Sequence, residues 1–144
     1  MPKLLSITGF LAMAGGLVGL LAIGSLFSSS PVVIAPQLAA VLLMIWARVT
    51  FGRRSFHFAA DPTEGGLVTS GPYRFVRHPI YAGVGLFTWA GACSHWSLPA
   101  ALLAGLVSAG ACIRMLCEEK LVLARYPEYR DYAARTHRLV PFVF

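Results

Sequence analysis

The feature that most restricts this chain is the stretch from Leu4 to Phe27, which carries no charge and is apolar apart from small side chains. At 1.5 Å per helical residue such a stretch crosses a hydrocarbon core of about 30 Å. A helix apolar on every side needs lipid or protein all around it. Three further apolar runs follow, Pro31 to Ala47, Ile80 to Trp96 and Leu98 to Cys117. Composition agrees, with 12% charged residues and 57% hydrophobic, where soluble domains carry about 25% charged. The expectation is an all-α integral membrane protein, one domain over residues 1–144 formed by a bundle of about four transmembrane helices. The spans lie near 4–27, 31–47, 80–96 and 98–117, with a loop over 48–79 and a tail over 118–144 that includes an interfacial helix.

Charge placement orients these spans. With Ser28 to Ser30 and Ser94 to Ser97 outside, all 12 Lys and Arg residues fall on the other side. They occupy the N-terminal tip at Lys3, the central loop and the stretch from Arg114 to Arg138. That is the positive-inside pattern, and it predicts both termini in the cytoplasm. The net charge of +6 then serves orientation and contact with anionic membrane lipids, and no nucleic-acid module accompanies it. The first run is longer than a secretory h-region of about 7–15 residues, and its removal would reverse the basic loops, so it reads as a retained helix. Gly15 and Gly19 form a GxxxG spacing that suits close helix packing within the monomer. Cys93, Cys112 and Cys117 show no paired CxxC and no matching His spacing, so they read as buried apolar thiols rather than metal ligands.

Two polar clusters interrupt the apolar background. The first is "SGPYRFVRHPIYAGVG", residues 70–85. Pro79 lacks an amide hydrogen and suits the first turn of a helix, while it disfavours helix at His78. A helix therefore starts at this His-Pro pair, and its unpaired N–H groups, beside Arg74 and Arg77, form either a setting for a carboxylate or phosphate or a plain helix cap with snorkelling arginines. Gly83 and Gly85 either let a flat ligand approach the backbone or serve helix packing. The preceding loop, Thr50 to Arg77, combines the turn signals Asp61-Pro62, Gly65-Gly66 and Gly71-Pro72 with aromatics and arginines, as a binding element or lid does, a disordered connector being the alternative.

The second cluster lies at the end of the fourth span. Arg114 and Glu118 are one helical turn apart and can pair. Glu119 has Met115 at the corresponding position, so no local partner neutralises it. A carboxylate pair aimed into the bundle suits a cationic ligand, and an exposed helix end is the plainer alternative. A break at Tyr126 precedes a helix restarted by Pro127. Tyr126, Tyr129 and Tyr132 recur as interfacial anchors do, and "LVPFVF" is an apolar tail suited to return to the membrane surface.

"RHPIYAG", then "EE", then "YPEYRDYAARTHRLVPF" resemble the integral-membrane methyltransferases that include isoprenylcysteine carboxyl methyltransferase and the phospholipid N-methyltransferases. The resemblance covers residues 71–142. It implies S-adenosylmethionine as cofactor and a lipophilic acceptor, the carboxylate or amine of a small isoprenoid or lipid, methylated at the cytoplasmic face. It also implies that Arg77, His78, Pro79, Tyr81, Gly83 and Gly85 form one wall of the cofactor pocket and Glu118 and Glu119 the other. Arg114 and Glu118 take the catalytic positions by the same correspondence, with Arg114 positioning the acceptor. Phe87, Trp89, Leu102 and Leu106 are the expected apolar lining of the acceptor pocket. Membrane sterol reductases resemble the same C-terminal region, so an NADPH-dependent reductase is the enzymatic alternative. A non-catalytic membrane protein whose polar motifs only cap helices is the other.

Overall fold

The computed structural model describes residues 2–52 and 66–140. Within them are five α-helices, α1 (Pro2–Ala22), α2 (Pro31–Phe51), α3 (Pro79–Ser94), α4 (Leu98–Arg125) and α5 (Tyr129–Arg135), and a 3-10 turn at Gly71–Arg74. No β-strand occurs among these residues; the single extended pairing is an isolated parallel bridge between Val76 and His137. The proposed lid residues 53–65 and the apolar tail 141–144 lie outside the described residues.

Three helices, α1, α2 and α4, are long and apolar enough to cross a membrane, which makes this a helical membrane protein. Helix α3 has 16 residues, about 24 Å of rise against a core of about 30 Å. Pro79 opens it and His95 closes it, so it is shorter than the run 80–96 that hydropathy suggests. The other boundaries differ from the apolar runs for local reasons. Helix α1 stops at Ala22, before Phe27, because Gly24 adopts φ +68°. The Gly24 amide bonds the Leu21 carbonyl and the Ser25 amide the Leu20 carbonyl, the paired bonds of a Schellman stop. Helix α2 continues past Ala47 to Gly52, whose φ of +70° ends it. Helix α4 runs past Cys117 to Arg125, since Glu118, Glu119 and Lys120 are good helix formers and the next breaker is Pro127.

The helices pack in the spatial order α2, α3, α4, α1, so that α1 and α2, consecutive in sequence, scarcely touch. The α1–α4 seam is built from glycine. A Cβ on Gly110 would lie 2.5 Å from the Gly9 carbonyl oxygen, and one on Gly16 would lie 2.9 Å from that of Leu103. Of the GxxxG pair, Gly19 faces Leu103 in this seam whereas Gly15 meets nothing. At the far end of the row the α1–α2 linker folds across α3. Gln37, buried on α2, donates to the carbonyls of Leu26 (2.8 Å) and Phe87 (3.3 Å), and Gly91 makes room for the Leu26 backbone. Leu20, Leu26, Ala92, Ala100, Ala104 and Val107 form the apolar core there. Outward-facing Leu11, Val18, Val32, Leu38, Leu42 and Leu102 present an apolar coat suited to lipid. Of the three cysteines only Cys117 is buried; Cys112 is half-buried and Cys93 exposed, because the latter two point away from the helix contacts.

Candidate functional site

At the end opposite this core, the His-Pro turn, the Glu118-Glu119 pair and the C-terminal segment converge. Gly71, with φ +57°, starts the 3-10 turn against Thr50, and residues 75–78 link that turn to the start of α3. That strip is docked by backbone pairing. The Arg77 amide donates to the His137 carbonyl (2.7 Å), the His78 amide to that of Arg138 (3.0 Å), and the His137 amide to that of Phe75 (3.2 Å). Residues 75–78 and 136–138 are thus held together directly before α3 begins.

Glu119 is the hub of the charged layer. Its Oε1 accepts from Arg77 Nε at 3.0 Å and lies 3.2 Å from His78 Nε2. Its Oε2 lies 3.2 Å from Arg138 Nε. Arg77 also donates to the carbonyls of Ala133 (2.8 Å) and Thr136, tying α5 to the start of α3. The sequence offered Glu119 no partner four residues away; its partners arrive from two distant segments instead. A half-buried carboxylate gains from such pairing, since leaving its charge unpaired out of water is costly.

Glu118 faces a second group. Its Oε1 accepts from the Tyr81 hydroxyl at 2.5 Å and from Arg114 Nη2 at 3.4 Å, and His78 Nδ1 lies 3.8 Å from its Oε2. Arg114 Nε donates to the same Tyr81 hydroxyl at 2.8 Å. Arg114, buried on the apolar helix α4, also donates to the Ser6 carbonyl (3.5 Å) and has Phe10 of α1 at 5.4 Å from its guanidinium. Each ring nitrogen of His78 therefore faces a carboxylate. Glu118 is 27% exposed and Glu119 14%, so Glu118 is the carboxylate more open to a ligand and Glu119 the one more committed to its own chain.

Tyr129 and Tyr132 are buried, where the sequence suggested interfacial anchors. The Tyr132 hydroxyl donates to the Tyr73 carbonyl at 2.6 Å. Burial pushes Tyr132 up to about 12 against the opposing effect of Arg77, and burial raises Tyr73 and Tyr129 as well. The neighbouring Tyr132 adds to the rise at Tyr73, and Glu119 to that at Tyr129. These phenols stay neutral and serve as donors and packing groups.

Arg77, His78, Tyr81, Arg114, Glu118 and Glu119 thus form one connected layer, with Pro79 setting the start of α3. The two glycines divide. A Cβ on Gly83 would lie 2.5 Å from Met44 Cγ and 3.0 Å from the Ala40 carbonyl oxygen, so Gly83 closes α3 onto α2. Gly85 opens onto unfilled space. Among the suggested acceptor-lining residues, Trp89, Leu102 and Leu106 are exposed, while Phe87 packs edge-on against Phe27 at 5.7 Å. Arg138 carries a role that residue patterns did not assign; the signal available was its place in "THRLVPF", downstream of the tyrosines. Among the described residues no group of three His, Cys, Asp or Glu side chains is placed to hold a metal.

The fold and this layer define a helical membrane protein with a largely half-buried ionic cluster where three of its helices end or begin. The model of the phospholipid methyltransferases matches residues 27–129, and the chain belongs to that family. Membership implies a membrane methyltransferase. No curated protein and no solved structure matches the chain significantly.

Proposed function

We propose that this protein transfers a methyl group from S-adenosylmethionine to the carboxylate or amine of a lipophilic acceptor at the cytoplasmic face of the membrane. The observation that carries the reading is the convergence of the His-Pro turn with Glu118 and Glu119 within a chain of this family. The site's own donors fit the cofactor. Glu118 and Glu119 match its ammonium and sulfonium charges or hydroxyls. The first-turn amides of α3, which lack intrahelical acceptors by position, match a carboxylate. Gly85 leaves open space one turn beyond Tyr81.

When bound, S-adenosylmethionine supplies a methyl group already activated on a sulfonium. The residues then need only to align two reactants and exclude water. Arg77 and His78 fix the Glu119 carboxylate and with it the pocket wall. Arg114 and Glu118 hold the Tyr81 hydroxyl between them, so a polar acceptor group arriving there meets a guanidinium, a phenol and a carboxylate. A carboxylate acceptor needs no base; an ammonium acceptor must first lose a proton, a task for Glu118. The four-span topology follows from the same reading, with α3 as a short fourth span. Both termini and the charged layer then face the cytoplasm, in line with the distribution of basic residues.

Calorimetric titration of the detergent-purified protein with S-adenosylhomocysteine and, separately, NADPH tests this. Binding of S-adenosylhomocysteine alone is the expected result, and binding of NADPH alone overturns the transferase reading.

A further inference from the structure

Helix α1 lies outside the stretch that matches the family, residues 27–129, yet one of its faces reaches the charged layer. Ser6, Gly9 and Phe10 stand at positions i, i+3 and i+4 and so share that face. Ser6 is 0% exposed, and its carbonyl accepts from Arg114 Nη1 at 3.5 Å; a backbone oxygen inside a helix has a second lone pair for such a bond. Gly9 is buried where the Arg114 stem passes. A Cβ there would lie 3.1 Å from Arg114 Cγ and 2.8 Å from the Gly110 carbonyl oxygen. The half-buried Phe10 ring has the Arg114 guanidinium 5.4 Å from its centre, within cation–π range.

The guanidinium is thereby gripped by α1 and joined to α3 at once. Its Nε donates to the Tyr81 hydroxyl at 2.8 Å, and that hydroxyl donates in turn to Glu118 Oε1 at 2.5 Å. The direction of this chain is fixed. A guanidinium only donates, so the Tyr81 oxygen accepts from it and places its one proton in the bond to Glu118. Arg114 Nη2 reaches the same Oε1 at 3.4 Å. Glu118 Oε2 has His78 Nδ1 at 3.8 Å, beyond hydrogen-bond reach. One oxygen of this 27%-exposed carboxylate is therefore held by the layer, while the other accepts no hydrogen bond among the described residues.

We infer that α1 belongs to the reacting layer: Phe10 is the positioning residue of Arg114, and through Arg114 and Tyr81 it sets Glu118 with Oε2 available to the group that is methylated. The acceptor's part in this rests on the methyl-transfer reading. Arg114 is 6% exposed on a largely apolar helix, where water does not replace a lost contact. Without the Phe10 ring its head keeps hydrogen-bonding partners but loses the surface that fixes its plane. The bond from Nε to Tyr81 then opens more often, and each opening frees the Tyr81 hydroxyl to turn away from Glu118.

The test follows the Arg114 Nε proton by nuclear magnetic resonance of the full chain with isotope-labelled arginine in detergent micelles, its signal recognised by contact with the Tyr81 ring protons. We expect Phe10→Leu to speed exchange of that proton with water about fivefold and Phe10→Tyr, which keeps the ring face, to restore the parent rate. The Arg77 Nε proton, bonded to Glu119, keeps its rate throughout. Phe10→Met retains apolar bulk without a ring and gives the same readout if Phe10→Leu does not fold. By calorimetry, Phe10→Leu binds S-adenosylhomocysteine as the parent does, because the ring acts on the acceptor side. An unchanged Arg114 rate in Phe10→Leu overturns the positioning role, whatever S-adenosylhomocysteine does. Equal acceleration at Arg77 and Arg114 also overturns it, since that is general loosening of the fold. Weakened S-adenosylhomocysteine binding in step with Arg114 exchange overturns the acceptor-side assignment and moves Arg114 to the cofactor wall. The expected exchange series in a parent that binds no S-adenosylhomocysteine overturns the methyl-transfer reading and leaves Phe10 as the element that orders the ionic layer.

Discussion

Helix α4 makes two seams of opposite kinds. Toward α1 it presents Gly110 and the Leu103 backbone, and the two helices close until glycine carbonyls limit the approach. Toward α3 it presents Ser108, Arg114 and Glu118, and the contact is held at polar points, with Gly85 between them adding no side chain. Lipid gives helices no hydrophobic reason to associate, so association rests on close packing and on hydrogen bonds. The first seam uses packing and has no volume to spare. The second uses hydrogen bonds and ion pairs, which fix position without filling space, and a ligand site needs that combination.

Four substitutions break or sharpen this contrast. Glu119→Ala has the largest expected effect, a loss of about 3–5 kcal/mol, because Arg77, His78 and Arg138 then face one another without their common carboxylate. Thermal unfolding in detergent measures it, and an unchanged midpoint would mean that backbone pairing of 75–78 with 136–138 holds the layer unaided. Gly110→Ala comes next. Its new methyl meets the Gly9 carbonyl and Met13, an overpacking that costs about 1–3 kcal/mol. Full stability in that variant would show the α1–α4 seam to be looser than its geometry.

Tyr132→Phe removes the donor to the Tyr73 carbonyl, at a cost of about 1 kcal/mol by the same unfolding measurement. It also has a pH signature. The folded value of Tyr132 is raised to about 12, above the ordinary phenol value near 10. Its stabilising contribution is therefore complete below pH 10 and lost as the pH rises through 12. An unfolding profile across that alkaline range should be less steep in Tyr132→Phe than in the parent, and identical profiles would remove Tyr132 from the account. The smallest effect belongs to Gly15→Ala, where a Cβ meets nothing. Helix propensity predicts a gain of about 0.5–1 kcal/mol, and a loss instead would mark Gly15 as part of a seam with a second molecule.

Much of the candidate site was legible in the residues because its motifs are local. Pro79 reveals a helix start wherever it occurs, and the structure begins α3 there. Glu118 four residues after Arg114 predicts the pair that forms at 3.4 Å. The break at Tyr126 is present as well, with α4 ending at Arg125 and α5 beginning at Tyr129. Hydropathy erred at the ends of the apolar runs, because it does not register a left-handed glycine such as Gly24 or the helix-forming tendency of charged residues such as Glu118 and Lys120.

The chain's order of apolar and charged residues by itself determined an all-helical membrane protein, the helix starts at Pro31 and Pro79, and the gathering of basic residues at one set of helix ends. These follow from transfer of apolar surface and from backbone chemistry, which act residue by residue. The tertiary structure alone decided that Glu119 is neutralised by Arg77, His78 and Arg138. It alone decided that Gly83 is closed by α2 while Gly85 is open, and that Thr88 is buried without a partner. Those outcomes depend on which helices become neighbours, and the order α2, α3, α4, α1 is set by the summed packing of distant glycines and ion pairs.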